Sequence, residues 1–197
     1  MEYNLDMAGA RRFNVIAAGN LRMMFTHLIE TPVGWLESVW SRDGGLQACG
    51  FVEAAAANRC DYQPAKTPLV RQFDEAPQRL HLLEDRMRDY FATGQLEWEL
   101  DWLDWSNVPS FHRKVLEQCA QIPAGQTLTY SELASRAGSR GAARAVGSAM
   151  ARNRWPLIIP CHRVVGADGR LTGYSGTGGI ETKRRLLGLE AGELVLI

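Results

Sequence analysis

Thr129-Tyr130-Ser131-Glu132 and, beyond the turn Gly138-Ser139-Arg140-Gly141, the run Ala142-Ala143-Arg144-Ala145-Val146-Gly147-Ser148-Ala149-Met150-Ala151-Arg152 decide how the second half of the chain folds. The first four residues have the pattern of a capping box, in which Thr and Glu satisfy two free backbone N–H groups at a helix start. They open a short helix reaching Ala137. A second helix follows the turn, and Asn153 suits a left-handed C-terminal position. Short helix, tight turn and second helix make the outline of a helix-turn-helix. The second helix is mostly Ala, Gly and Ser, with Arg144 as its only long side chain before Met150. Small residues let a helix backbone approach another surface closely. That surface is either another helix or a narrow groove of DNA, and Arg152 and Arg154 beyond it suit phosphates. Spacing alone leaves both open.

Downstream stands Pro160-Cys161-His162-Arg163-Val164-Val165, led in by apolar Leu157-Ile158-Ile159 and followed by a glycine-rich stretch from Gly166 to Gly179. A cysteine attacks as its thiolate, and a free thiol ionises near a pKa of about 8.5. His162 is the adjacent base. In an extended strand, however, neighbouring side chains point to opposite faces. A direct Cys161–His162 bond therefore needs a turn or a bridging water, and the histidine needs an orienting partner. Upstream, Ser110 is a plausible N-cap for a helix whose apolar face is Val115, Leu116, Cys119 and Ile122. Pro123-Ala124-Gly125 ends it.

The first half reads differently. Residues 1–20 look like a loosely held arm, with room for a short helix. Thr31 to Trp40, the turn Asp43-Gly44-Gly45 and the run Leu46–Val52 read as a β-hairpin or meander. Residues 53–75 carry no clear pattern. Leu80, Leu83, Met87 and Tyr90/Phe91 recur at helical spacing and predict a helix over 77–93, stopped by Gly94. Leu96 to Trp102 alternates strictly and predicts a strand. A boundary near Ser106–Pro109 separates an α/β domain over 21–105 from a second domain over 106–197.

Net charge is zero, but it is unevenly spread. Residues 1–105 hold ten basic and sixteen acidic side chains, net −6, and the rest hold twelve and six, net +6. A polyanion would favour the second half, although two domains attracting each other give the same asymmetry. Cys49, Cys60, Cys119 and Cys161 form no CxxC pair and fit no zinc spacing. Free thiols, no signal peptide and no membrane-length apolar run predict a cytoplasmic chain without metal or cofactor.

Taken together, these motifs resemble the O6-alkylguanine-DNA alkyltransferases, also called methylated-DNA–protein-cysteine methyltransferases. The likeness rests on Pro160 to Val165, Thr129 to Ala134, Ala143 to Gly147, Met150 to Asn153, Gly173-Tyr174-Ser175-Gly176 and Lys183 to Glu190, in order and spacing. It covers the chain from Pro109 onward and is weak over 1–75. The resemblance implies a ribonuclease-H-like first domain and a mainly helical, winged-helix-type second domain. It implies a monomer that repairs DNA by moving an alkyl group from O6-alkylguanine, with O4-alkylthymine as a second substrate, onto Cys161, once per molecule.

By the same resemblance His162 draws off the Cys161 proton through a water, Glu190 holds the histidine, and Asn153 ties the turn before the cysteine. Ala142, Ala143, Gly147 and Arg152 face the minor groove. Arg144 fills the space left by a flipped base, and Tyr130 presses on the phosphate. Met150, Val164, Tyr174, Ser175 and Lys183 line the base pocket, where Tyr130 donates to a ring nitrogen and Lys183 adds positive charge. Thr177-Gly178-Gly179-Ile180 is two residues longer than in many members, which bears on the pocket rim. Three rivals lack support: a non-enzymatic relative lacks the acceptor cysteine, a regulator needs no Cys161, and a cysteine hydrolase needs an oxyanion hole.

Overall fold

A computed structural model of the chain describes residues 12–18, 22–41, 43–53, 76–96 and 98–193. The ambiguous stretch 53–75 lies almost wholly outside the described residues, as does Cys60.

Four strands, β1 (Arg12–Ala18), β2 (Arg22–Thr31), β3 (Gly34–Ser41) and β4 (Leu46–Val52), form an antiparallel meander in chain order. The expected hairpin is its second half. Residues 12–18, expected in a loose arm, instead pair with β2 in register, Arg12 opposite Leu28 and Ala18 opposite Arg22. Leu36, Ser38 and Trp40 on β3 are buried while residues between them are partly open, the period-2 pattern of a sheet with one covered face. The cover is α1 (Ala76–Thr93). Its inner-face residues Leu83, Met87 and Tyr90 are fully buried, and each contributes roughly 1.5–3 kcal/mol by leaving water. His27 on β2 meets Glu84 on α1 at 2.9 Å.

Among the described residues of the stretch 96–102 there is no strand, contrary to expectation. Residues 100–102 form a 3-10 turn, and Leu103 makes an isolated bridge to the sheet, parallel to Leu46. The alternating tryptophans pack with one another: Trp98 meets Trp102 edge-on at 5.2 Å, and Trp102 lies 6.5 Å from Trp40. Aromatic packing, not strand pairing, explains that alternation.

The second half holds α2 (Ser110–Ala120), β5 (Leu128–Thr129), α3 (Tyr130–Arg136), α4 (Ala143–Ala151), a 3-10 turn at Cys161–Arg163, β6 (Val164–Val165) and α5 (Gly179–Glu190). Thr129 and Glu132 form the expected capping box. Ser110 is not the N-cap of α2: Pro109 holds that position without a side-chain bond. β5 and β6 pair in parallel, Leu128 beside Val164 and Thr129 beside Val165. That short pairing sets the start of α3 next to the Cys161 turn.

One apolar core runs through both halves. Trp155 is buried and donates from Nε1 to the Leu46 carbonyl at 2.8 Å, and Cys49 N donates to the Arg154 carbonyl at 2.7 Å. No described helix is long and apolar enough to cross a membrane.

Candidate active site

Asn153 shapes the loop that delivers Cys161. Its Nδ2 donates to the Ile159 carbonyl at 2.8 Å, and its Oδ1 accepts from Trp155 N at 3.0 Å. Asn153 is not left-handed, contrary to expectation. Arg152 and Asn153 N–H groups close α4 onto the Ala149 and Met150 carbonyls at 3.2 and 3.1 Å, a tightened last turn that needs no positive φ. The left-handed residue is Leu157, at φ 74°. For a residue with a Cβ this costs of order 1–3 kcal/mol. Burial of the Leu157 side chain helps offset it.

Cys161-His162-Arg163 is a 3-10 turn and not part of a strand. Three residues per turn send successive side chains in different directions. Cys161 and His162 are both buried, and the histidine turns away to the last residue of α5. There Glu190 accepts from five donors. Oε1 receives His162 Nε2 at 2.7 Å, Arg163 Nη2 at 2.8 Å and the Tyr90 hydroxyl at 2.8 Å. Oε2 receives Arg163 Nε at 2.9 Å and Gly125 N at 3.3 Å. Arg163 also donates from Nη1 to the Ile122 carbonyl at 2.5 Å.

A carboxylate at a helix C-terminus opposes the helix dipole, and burial penalises it further. Hydrogen bonds from His162 and Arg163 overcome that penalty and bring the carboxyl down to about 2. Burial lowers the His162 pKa even though Glu190 pulls it up. Burial likewise raises the Cys161 thiol, against opposing pulls from Asn153 and Lys183. At neutral pH the pair is therefore a thiol and a neutral imidazole. With Nε2 donating to Glu190, Nδ1 is the free base, and it has no hydrogen-bond partner among the described residues.

Lys183 is fully buried and clamps two segments, donating from Nζ to Val164 O at 2.6 Å and Thr172 O at 2.8 Å. Its pKa is pushed down by burial. The Tyr130 hydroxyl donates to the same Thr172 carbonyl at 3.3 Å. These bonds join α3, β6 and the 172–175 loop around Cys161. Met150 and Val164 are buried, Ser175 is exposed, and the buried Tyr174 hydroxyl has no partner among the described residues. The longer stretch is anchored: Thr177 Oγ1 donates to the Phe51 carbonyl of β4 at 2.7 Å, and Thr182 Oγ1 to the Thr177 carbonyl at 2.8 Å.

On α4, Val146, Ala149 and Met150 face inward while Arg144 is exposed. Ala142, Ala143 and Gly147 are half-buried, and Arg152 is exposed and bonded to the Ser148 hydroxyl. Gly147 lies against the Tyr130 ring. Arg154 does not join this face. It donates to the Asp104 and Ser106 carbonyls at 2.6 and 3.1 Å and stacks on Trp155 at 4.6 Å.

The structure thus gathers Cys161, His162, Glu190, Asn153, Val164, Lys183, Tyr130 and Tyr174 around one turn. Sequence reading gave no partners to Tyr90, Arg163 and Gly125. A buried arginine beside the histidine is the available clue for Arg163, since a buried charge needs a counter-charge. Among the described residues no three His, Cys, Asp or Glu side chains are placed to hold a metal ion.

Comparison with known proteins points to one family. The family profile described as 6-O-methylguanine DNA methyltransferase, DNA binding domain, matches residues 110–192. A methylated-DNA–protein-cysteine methyltransferase of Methanothermobacter thermautotrophicus is 36% identical over 152 residues, 77% of each chain. One from Mycolicibacterium paratuberculosis is 35% identical over 162 residues, 82% of this chain and 89% of that protein. The crystal structure of Mycobacterium tuberculosis O6-methylguanine methyltransferase superposes with a TM-score of 0.63 at 32% identity, covering 86% of this chain and 94% of that one. The Mycobacterium tuberculosis OGT in complex with DNA gives 0.64 at 34% identity, covering 84% and 92%. The chain belongs to the methylated-DNA–protein-cysteine methyltransferase family.

Proposed function

We propose that this protein repairs alkylated DNA by direct reversal, moving the alkyl group of O6-alkylguanine to Cys161 in one irreversible step. The carrying observation is a buried cysteine beside a histidine whose far nitrogen is fixed on Glu190. The Cys161 proton passes, through a water, to His162 Nδ1. The sulfur attacks the alkyl carbon, the carbon–O6 bond breaks, and a thioether forms. The guanine leaves as an anion, hydrogen-bonded at a ring nitrogen by the Tyr130 hydroxyl, and takes up one proton from water, balanced by the one Cys161 gave up. Asn153 holds the loop that aims the sulfur.

The target oxygen lies inside the duplex, so the base must flip out, at a cost of a few kcal/mol. The small-residue face of α4 enters the minor groove with Ala142, Ala143, Gly147 and Arg152 toward the backbone. Arg144, exposed on that face, fills the space the base leaves. Met150, Val164, Tyr174 and Ser175 bound the pocket, and Lys183 holds its two edges together. In fold terms the sheet with α1 is ribonuclease-H-like, and 106–197 is a winged-helix-type unit built on α3 and α4. The protein acts as a monomer in the cytoplasm.

Incubation with duplex containing O6-methylguanine adds one methyl group per molecule, on the peptide containing Cys161, by intact and peptide mass spectrometry. Cys161→Ala binds the same duplex and repairs nothing. No mass gain, or methyl release with turnover, would overturn the reading.

A further inference from the structure

We infer that Tyr90, on the first domain's helix, is a positioning residue for the reaction: its hydroxyl fixes Glu190 and, through it, sets the basicity of His162. The inference rests on the function proposed above.

Two independent contacts bring α1 to the end of α5. The Tyr90 hydroxyl donates to Glu190 Oε1 at 2.8 Å, the same oxygen that receives His162 Nε2 at 2.7 Å. One turn on, Gly94 stands so close that a Cβ there would lie 2.8 Å from the Leu189 carbonyl and 3.2 Å from the Glu190 Cα. Tyr90 is fully buried, and burial followed by the Glu190 charge raises its pKa far above the ordinary phenol value. The hydroxyl is therefore a permanent donor.

The titratable and charged groups facing Glu190 are His162 and Arg163 from the 3-10 turn and Tyr90 from α1, beside the Gly125 N–H; those acting on His162 are Glu190, Arg163 and Lys183. Arg163 supplies the counter-charge. Tyr90 supplies a neutral donor that competes with His162 for one oxygen. A carboxylate with fewer donors is a stronger acceptor and favours imidazolium over imidazole. Removing the hydroxyl therefore makes His162 easier to protonate and leaves Glu190 less fixed.

The test is the single-turnover rate of methyl transfer from O6-methylguanine duplex to the full chain, followed from pH 5 to 8. Tyr90→Phe keeps the ring. It is expected to slow transfer about tenfold, as loss of a hydrogen bond to a charged group does, and to move the acid limb up by about half a pH unit. Phe91→Leu disturbs packing on the same helix, where the Phe91 ring meets Tyr90 edge-on at 5.1 Å, and is expected to lower stability without moving the limb. Replacing the Tyr90 phenol with its difluorinated analogue keeps the shape, strengthens the donor and should move the limb down. A Tyr90→Phe profile that matches the unsubstituted chain, or a limb that shifts equally in Phe91→Leu, overturns the inference. So does an unmoved limb with the fluorinated phenol if Tyr90→Phe does not fold. An unsubstituted chain that transfers no methyl group overturns the proposed function itself, and that arm separates the two failures.

Discussion

Replacing Glu190 with Gln tests the central geometry most directly. The amide keeps the shape but exchanges one acceptor oxygen for an NH2 donor. Whichever way it faces, it meets donors: His162, Arg163 and Tyr90 on one side, or Arg163 and Gly125 on the other. The buried Arg163 charge loses its counter-ion. Removing one partner of a buried pair costs about 3–5 kcal/mol. A second route gives a similar figure. The Glu190 carboxyl sits at about 2 in the folded chain against an ordinary 4.5. At about 1.4 kcal/mol per pH unit, that gap corresponds to about 3 kcal/mol.

The pH dependence follows from the same shift. The unfolded chain holds the Glu190 proton more tightly than the folded chain, so this stabilisation is complete above about 4.5 and is lost as pH falls toward 2. Urea unfolding of the unsubstituted chain and of Glu190→Gln, repeated from pH 7 down to 3, should give curves separated by about 3 kcal/mol at neutral pH. They should converge in acid, because the variant has no carboxylate here to protonate. Other acids titrate in both proteins and cancel in the difference. A gap under about 1 kcal/mol at pH 7, or one that stays constant into acid, would refute a buried ionised Glu190 joined to Arg163.

Gly94→Ala should destabilise by about 2–3 kcal/mol, because a Cβ there is strained at φ 71° and meets the Leu189 backbone at 2.8 Å; an unchanged urea midpoint would show that α1 and α5 approach less closely. Arg144→Ala should slow repair of duplex about tenfold or more while sparing a single-stranded substrate, where no base need be unstacked; equal losses on both would argue against insertion into the stack. Lys183→Met should keep the stem but unclamp Val164 and Thr172; the Thr172 carbonyl keeps the Tyr130 hydroxyl as a donor, so the cost is about 1–3 kcal/mol, for the Val164 carbonyl. A full-strength variant in denaturant would show that the Val164 carbonyl rehydrates.

Much of the fold and of the site is legible in the sequence alone. The capping box at Thr129–Glu132 depends on local chemistry alone and forms as expected. The α1 periodicity likewise gave a helix within a residue of the observed bounds. What was not legible depends on partners remote in sequence. Tyr90 reads as one more apolar position on an amphipathic helix, and only the arrival of Glu190 a hundred residues later makes its hydroxyl matter. The alternation at 96–102 looked like a strand because period 2 also serves stacked tryptophans. Asn153 looked like a left-handed cap; its side chain instead bonds across the loop, and the left-handed residue is Leu157, where no local pattern marks it. In each case the sequence shows a residue's preference, while tertiary contacts decide which preference is used.

The resting charge state explains how a reactive cysteine can also be a patient one. Burial raises the Cys161 thiol and lowers the His162 pKa, so neither group carries charge at neutral pH. A thiolate is the form that oxidants and stray electrophiles attack. On the proposed mechanism each molecule acts once, so a thiolate spent on anything but DNA is a protein lost. Activation must then come with the substrate. On that mechanism the flipped base itself closes over the turn, excludes bulk water and brings the departing guanine to its donors. Glu190 is already ionised and fully hydrogen-bonded, so it can stabilise the imidazolium the moment it forms. The expense of placing a carboxylate against a helix C-terminus is met permanently by Arg163, Tyr90 and Gly125. That pre-set field leaves the thiol protonated until there is something to repair.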